Sequence, residues 1–233
     1  MTTQADVLAL GIQPLARRES TAEAAAQALR SQISAGRLAP GSQLREEHLA
    51  AALEVSRNTM REAFRLLAHE GLVEHALHRG VFVRMVGVSE VRAMYATRRL
   101  VEPLGVRAIL GSPRAGDLVA SLDDVVTAAE AAATAGDWHV VGTQDIEFHR
   151  AIVQAAGSTH LSAMFSGLLA ELRLAFLRLP DPETLHEPFL RRNRGLVTSL
   201  GAGDLEKSLD EIDSYLADAE TRLLAIVGDG SRP

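Results

Sequence analysis

Val55-Ser56-Arg57-Asn58-Thr59-Met60-Arg61-Glu62-Ala63-Phe64-Arg65-Leu66-Leu67-Ala68-His69-Glu70-Gly71 is the stretch on which the reading of the whole chain turns. Met60, Ala63, Phe64 and Leu67 recur at the three- and four-residue spacing of one helical face. Ser56 is a capping residue just ahead of them, and Gly71 stands just past their end. The spacing predicts a helix over 57–69 with those four residues turned inward. Arg57 and Arg61 lie one turn apart on the opposite face, and Arg65 continues the row. Taken alone, such a row reads as a solvated face paired locally with Glu54, Glu62 and Glu70.

The flanking sequence changes that reading. Upstream, Ala24, Ala28, Leu29 and Ile33 share one face of a helix that starts at Thr21, capped by Ser20 or Thr21, and stops at Gly36. Leu38-Ala39-Pro40-Gly41 is a turn signal. A short helix then fits Glu46 to Leu53, with Leu49, Ala50 and Leu53 inward. Downstream of Gly71 the period changes from helical to extended. Leu72-Val73-Glu74-His75 and Val81-Phe82-Val83, separated by Ala76 to Gly80, read as a hairpin. Two short helices, a tight turn and a hairpin make a winged helix-turn-helix. In that arrangement the first turn of the second helix enters the major groove, where its dipole and free amides favour phosphate and its side chains reach base edges. In this context the arginine row is a candidate DNA contact.

From Val88 onward, amphipathic helices are expected near 88–110, 114–135, 138–156, 159–179, 183–200 and 204–227, with no convincing strand. The fold class is therefore mainly α: a winged helix-turn-helix domain over 20–86 followed by an all-α helical bundle over 87–229. Residues 1–19 show no sustained period and read as a flexible leader.

Composition bounds the chemistry. The 233 residues contain no cysteine, which excludes disulfide frameworks, thiolate metal sites and cysteine nucleophiles. No apolar run is long enough to span a bilayer and no secretory leader is recognisable, so a cytoplasmic protein without a membrane partner is expected. The net charge of −6 argues at first against nucleic acid, but it is unevenly distributed. Residues 1–86 carry 10 Arg against 9 Asp+Glu, whereas residues 87–233 carry 14 basic and 21 acidic groups. The acidity belongs to the helical half. With so weak a positive field, affinity for DNA must come from a few placed arginines and from pairing of two chains.

The segment Leu44-Arg45-Glu46-Glu47-His48-Leu49-Ala50, the run Val55 to Ala63, and Glu70-Gly71-Leu72-Val73 together resemble the DNA-binding domain of the GntR family of bacterial transcription regulators. Gly36-Arg37-Leu38-Ala39-Pro40-Gly41 resembles its first turn, and Arg79-Gly80-Val81-Phe82-Val83 its wing. The likeness covers about 65 residues in order. It implies base and phosphate contacts from Arg57 and Arg61, support from Ser56, Asn58 and Thr59, and flanking contacts from Arg45, Arg79 and Gly80. Glu54 stands where the family usually has glycine, which demands a less common turn conformation. Thr59 replaces a frequent proline.

Val88-Ser89-Glu90-Val91 with Tyr95, Arg98 and Glu102, and Asp145-Ile146-Glu147-Phe148-His149-Arg150, resemble the FCD-type effector domain of the FadR subgroup. That resemblance implies a homodimer and a pocket enclosed by six or seven helices. It further implies a divalent metal of the Zn, Ni or Mn class, held by one Asp and three His. Asp145 and His149, four apart, meet on one helical face. The two remaining ligand positions, 22 residues apart about the Gly203-Asp204 turn, are occupied by Asn193 and Tyr215. Asparagine offers a neutral oxygen, whereas a protonated tyrosine is a poor ligand. Three arrangements follow. Asp145, His149 and Asn193 hold a metal weakly with waters; or the pocket is metal-free and binds effector by hydrogen bonds; or His186 takes up a ligand position.

By the same resemblance Arg98 faces the pocket and suits a carboxylate effector; an ion pair with Glu102 is the competing reading. Arg173 and Arg178 are further candidates of that kind. Trp138 reads as a packing anchor, and Arg191, Arg192 and Arg194 as a solvated face. The whole is expected to be a ligand-responsive regulator, a repressor, that binds a double-stranded pseudo-palindromic operator as a dimer, with no catalytic residues. Two other classes stand beside it: a metal-dependent hydrolytic enzyme using Asp145 and His149, and an architectural DNA-binding protein without effector.

Overall fold

The computed structural model describes residues 20–179 and 181–229; the expected leader over 1–19 lies outside them. Among the described residues the chain forms nine helices and three short strands. The first half contains α1 (Thr21–Ser34), β1 (Gln43–Leu44), α2 (Glu46–Ala52), α3 (Arg57–His69), β2 (Val73–Ala76) and β3 (Gly80–Val83). In α1 the buried side chains are Ala22, Ala25, Ala26, Leu29 and Ile33. The expected inward position of Ala24 is therefore wrong by a fraction of a turn: Ala24 is exposed, because an alanine-rich window does not define the phase of its own apolar face. In α3 the inward set is Met60, Ala63, Phe64 and Leu67, as the spacing predicts.

Helix α3 packs on both α1 and α2. The sheet is antiparallel in the order β1-β3-β2, with Leu44 opposite Val81 and Val73 opposite Val83. β1 was not foreseen, since two residues are too few to show an alternating pattern. The hairpin turn uses His78 and Gly80 at positive φ.

The second half contains α4 (Val88–Gly111), α5 (Ala115–Thr134), α6 (Trp138–Gln154), α7 (Thr159–Phe176), α8 (Pro182–Gly201) and α9 (Leu205–Asp229), with no strand among the described residues. Helix α6 is the central element, packed against α4, α5, α7 and α8, while α9 lies along α4 and α8. Gly105 allows α4 to press on α6, because a Cβ there would sit 2.2 Å from the carbonyl oxygen of Ile152. The consequence is that polar side chains on α4 and α6 meet in a buried interior.

Residues 84–87 join the halves under restraint. Val86 is fully buried, and its carbonyl accepts a 2.8 Å hydrogen bond from Arg178 on the segment after α7. Arg84 pairs with Glu171 on α7 at 2.6 Å and also with Glu90 on α4. Arg173 reaches from α7 to the carbonyl oxygen of Ser34, the last residue of α1.

Candidate functional site

The start of α3 is shaped by Ser56, whose Oγ accepts the backbone N–H of Thr59 at 3.0 Å and lies 2.8 Å from the Thr59 hydroxyl. Asn58 beside them is exposed. The side chains of Arg57 and Arg61 are 59% and 63% exposed. Of the local pairs expected for this row, only Arg65 with Glu62 forms. Arg57 meets Glu47 at 2.6 Å and Arg61 meets Glu46 at 2.8 Å, both acids coming from the first turn of α2, while Glu70 is held by Arg30. Packing of α2 on α3, which local spacing does not reveal, brings these partners in. Exposed pairs of this kind are weak, so a phosphate or a guanine edge can take over either guanidinium.

The same corner gathers the flanking candidates. Arg45 immediately precedes Glu46 and is exposed at the N-cap of α2. Two residues earlier, Gln43 donates from Nε2 to the carbonyl of Arg79 at 2.7 Å, tying the wing tip to β1. Arg79 is exposed and its guanidinium lies 5.5 Å from the centre of the Phe82 ring. Gly80, at φ +100°, lets the tip approach, since a Cβ there would fall 3.2 Å from Gln43 Nε2. Glu54 adopts φ +54°, the left-handed conformation that its position in the turn demands.

In the helical half, the five expected pocket residues meet from four helices. Asp145 Oδ1 accepts hydrogen bonds from Asn193 Nδ2 at 2.8 Å and from the Tyr215 hydroxyl at 2.6 Å. His149 lies one turn along α6, its Nε2 3.9 Å from Asp145 Oδ1. Its Nδ1 is 2.6 Å from Glu102 Oε2, and Glu102 Oε1 accepts from Arg98 Nε, also at 2.6 Å. The Glu102 ion pair expected as the competing reading of Arg98 is present, and through Glu102 it joins Arg98 to the cluster. The part of Glu102 as bridge between Arg98 and His149 was missed; an i,i+4 pair in sequence does not show that both members are buried.

Burial sets the electrostatics. Burial alone would push the Asp145 carboxyl up, but His149, His186 and the hydrogen bonds from Tyr215 and Asn193 outweigh it and hold the carboxyl below its usual range. Burial, followed by the charge of Asp145, raises the Tyr215 hydroxyl well above its ordinary value, so it stays protonated and donates. Of the five buried side-chain atoms that lack partners among the described residues, three belong to this cluster: His149 Nε2, Asn193 Oδ1 and Arg98 Nη2. Two narrow cavities flank Asp145, one reaching Asn193 and the other Tyr215, with His186 bordering both. Each has a volume of about 10 Å³, room for one water.

The donor set does not fit a tightly held metal. It has one carboxylate that already accepts two hydrogen bonds, one imidazole and one neutral amide, with a protonated phenol in the fourth position. Among the described residues no three His, Cys, Asp or Glu side chains converge on one point. His186 shares the cavities but stacks edge-on against Phe176, 4.9 Å between ring centres. The unpartnered atoms suit a water or a ligand that both donates and accepts.

Elsewhere, Arg191 pairs with Glu187, Arg192 with Asp218, and Arg194 with Asp123 and Glu130, so this basic cluster is a paired helix face. Trp138 is half-buried at the start of α6. No helix among the described residues is long and apolar enough to cross a membrane.

A winged helix-turn-helix with exposed arginines at its recognition helix, joined to a helical bundle with a buried polar cluster, defines a DNA-binding regulator with a ligand-type domain. Residues 21–83 match the profile of bacterial regulatory proteins of the gntR family, and residues 93–218 match that of the FCD domain. The chain is 30% identical to a protein of Paenarthrobacter nicotinovorans named as a probable D-xylose utilization operon transcriptional repressor, over 80% of this chain and 81% of that protein. It is 27% identical to the gluconate operon transcriptional repressor of Bacillus licheniformis, over 88% and 78% of the two chains. The crystal structure of a protein from Rhodococcus sp. RHA1, described as a GntR transcriptional regulator, superposes with a TM-score of 0.83 at 36% identity, covering 91% of this chain and 99% of that one. The chain belongs to the GntR family and carries an FCD domain. It is a transcription regulator and not an enzyme, and the hydrolytic reading falls with that finding.

Proposed function

We propose that this regulator is a repressor that binds a pseudo-palindromic operator as a homodimer, and that a small carboxylate entering the Asp145 cluster changes its hold on DNA. The observation that carries the DNA half is the corner where Arg57 and Arg61 stand exposed at the capped start of α3, beside Arg45 and a wing tip held by Gln43. Arg57 and Arg61 read bases and phosphates, Ser56, Asn58 and Thr59 shape the helix start, and Arg45, Arg79 and Gly80 contact the backbone on either side. Two such domains on one dimer account for affinity despite the nearly neutral charge of residues 1–86. Genomic-site selection followed by footprinting tests this; no sequence-selective binding at moderate salt would overturn it.

For the effector half, the support is the set of unpartnered donors and acceptors around Asp145, together with relatives named as repressors of sugar and sugar-acid operons. Arg98, Asp145, His149, Asn193 and Tyr215 bind the effector by hydrogen bonds. A divalent ion, if bound, would be held by Asp145, His149 and Asn193, but the donor set argues for a metal-free pocket. Metal analysis of protein purified without chelator or nickel resin decides between these: a stoichiometric ion that Asp145→Ala removes would refute the metal-free reading. Thermal-shift screening separates an effector-responsive protein from an architectural one, since a true effector raises the melting temperature with concentration.

A further inference from the structure

Arg173 on α7 is a buried guanidinium with no acid to pair with. It is 8% exposed, and among the described residues no carboxylate lies within ion-pair range of it. Its acceptors are neutral carbonyls: Ser34 O receives Nε at 3.2 Å and Nη2 at 3.1 Å, and Nη2 also reaches His139 O at 3.3 Å. Nη1 makes no hydrogen bond among the described residues, and it lies beside His186 Nε2 next to Gly142. A Cβ on Gly142 would lie 3.0 Å from that Nη1 and 2.5 Å from His186 Nε2, so only glycine leaves room for both. Gly142 is three residues before Asp145, and His186 borders both cavities beside Asp145. By contrast, Arg98 is already neutralised by Glu102.

We propose that Arg173 is the residue that binds the carboxylate of the effector, with His186 beside it, and that this engagement draws its guanidinium away from the C-terminal end of α1. The proposal rests on the reading of the Asp145 cluster as an effector pocket and names how that pocket is coupled to the winged domain. A planar guanidinium whose acceptors are neutral carbonyls binds a carboxylate more strongly when one comes within reach, because two charge-assisted bonds replace neutral ones. The present bonds to Ser34 O favour the winged domain in its present position, since a cation at a helix C-terminus complements the helix dipole. An anion that competes for the same guanidinium therefore prefers the arrangement in which that contact is broken, and such a difference in affinity is what shifts a conformational equilibrium.

The test uses the full chain, with Arg173→Gln and Arg173→Lys as variants and acetate, succinate and citrate titrated separately as probes. Binding is followed through the fluorescence of Trp138, the single tryptophan, adjacent in sequence to the His139 carbonyl that Arg173 contacts. The clamp is followed by hydrogen exchange of residues 35–38, whose amides are bonded to the last turn of α1. In the wild type a saturating carboxylate is expected to speed exchange at those amides about tenfold or more. Arg173→Gln should show that faster exchange without any anion and bind the carboxylate at least about tenfold more weakly. Arg173→Lys, with the charge but not the fork, should fall between. Undiminished carboxylate binding by Arg173→Gln would overturn the anion role while leaving the effector pocket standing. Unchanged exchange at residues 35–38 in both variants would overturn the clamp. If none of the three anions is bound by the wild type, the effector reading fails and this inference fails with it.

Discussion

Replacing Glu102 by alanine removes the acceptor shared by two buried partners. The Glu102 carboxylate is fully buried, with Arg98 Nε and His149 Nδ1 each at 2.6 Å. Deleting one member of a buried ion pair costs about 3–5 kcal/mol, because the surviving charge has neither water nor partner. For a chain of this size that corresponds to a melting-temperature loss of roughly 6–20 °C. The cost should come from the stranded charge and not from lost packing. The double variant Arg98→Met with Glu102→Leu should therefore recover about 2 kcal/mol of it, leaving about 1–3 kcal/mol for the unpaired imidazole Nδ1. Urea unfolding at pH 7, followed by Trp138 fluorescence and by far-ultraviolet circular dichroism, measures both variants. Protonation provides a second readout. Burial would push the Glu102 carboxyl up, but Arg98 and then His149 outweigh it, so its folded pKa lies below the ordinary 4.5. A carboxyl depressed by folding contributes stability above its unfolded pKa and loses it as the pH falls through the folded one. The gap between wild type and Glu102→Gln should accordingly narrow as the pH falls below about 4.5. A Glu102→Ala cost under about 1 kcal/mol, or a double variant no more stable than the single one, would refute the buried-pair reasoning.

Arg57→Ala and Arg61→Ala should each weaken operator binding by about 1–3 kcal/mol and flatten its salt dependence, with unchanged melting temperature; electrophoretic mobility shifts at several salt concentrations that show full binding would contradict the assignment. Glu54→Gly should stabilise the winged domain by about 0.5–1 kcal/mol in urea unfolding, because glycine adopts φ +54° without the clash of a Cβ; a loss of stability would mean that the Glu54 side chain does more than tolerate the turn. His186 is pushed down to about 4 by burial, so the unfolded chain takes up a proton that the folded chain refuses. Stability from this group is complete above about pH 6.5 and declines toward pH 4, by about 3–4 kcal/mol in all, and His186→Phe should flatten that slope; parallel wild-type and variant profiles would contradict it.

What could be read from the chain was whatever repeats at short range. Met60, Ala63, Phe64 and Leu67 define their helix face by spacing alone, and Ser56 marks its start, because capping and amphipathicity act within a few residues. The six bundle helices begin and end within a few residues of the expected bounds for the same reason, with Asp137, Ser158 and Asp181 as their local caps. The two-residue strand β1 and the phase of α1 were not legible. The first is too short to carry a pattern, and the second is too rich in alanine for burial to distinguish one face from another.

The pocket divides along the same line. Resemblance named Arg98, Asp145, His149, Asn193 and Tyr215, and the fold brings all five together. Their bonding depends on approaches between residues far apart in the chain: Glu102 with His149, Asp145 with Tyr215, and Arg173 with Ser34 across the domain boundary. The partners of Arg57 and Arg61 were likewise misread from local acids, because the true ones come from another helix. Short-range spacing in the chain determines which helices form and which residues they offer. Which charges are stranded, which are matched and which polar atoms are left without a partner was decided only by tertiary packing, since removal from water is a property of the assembled interior and not of any one segment.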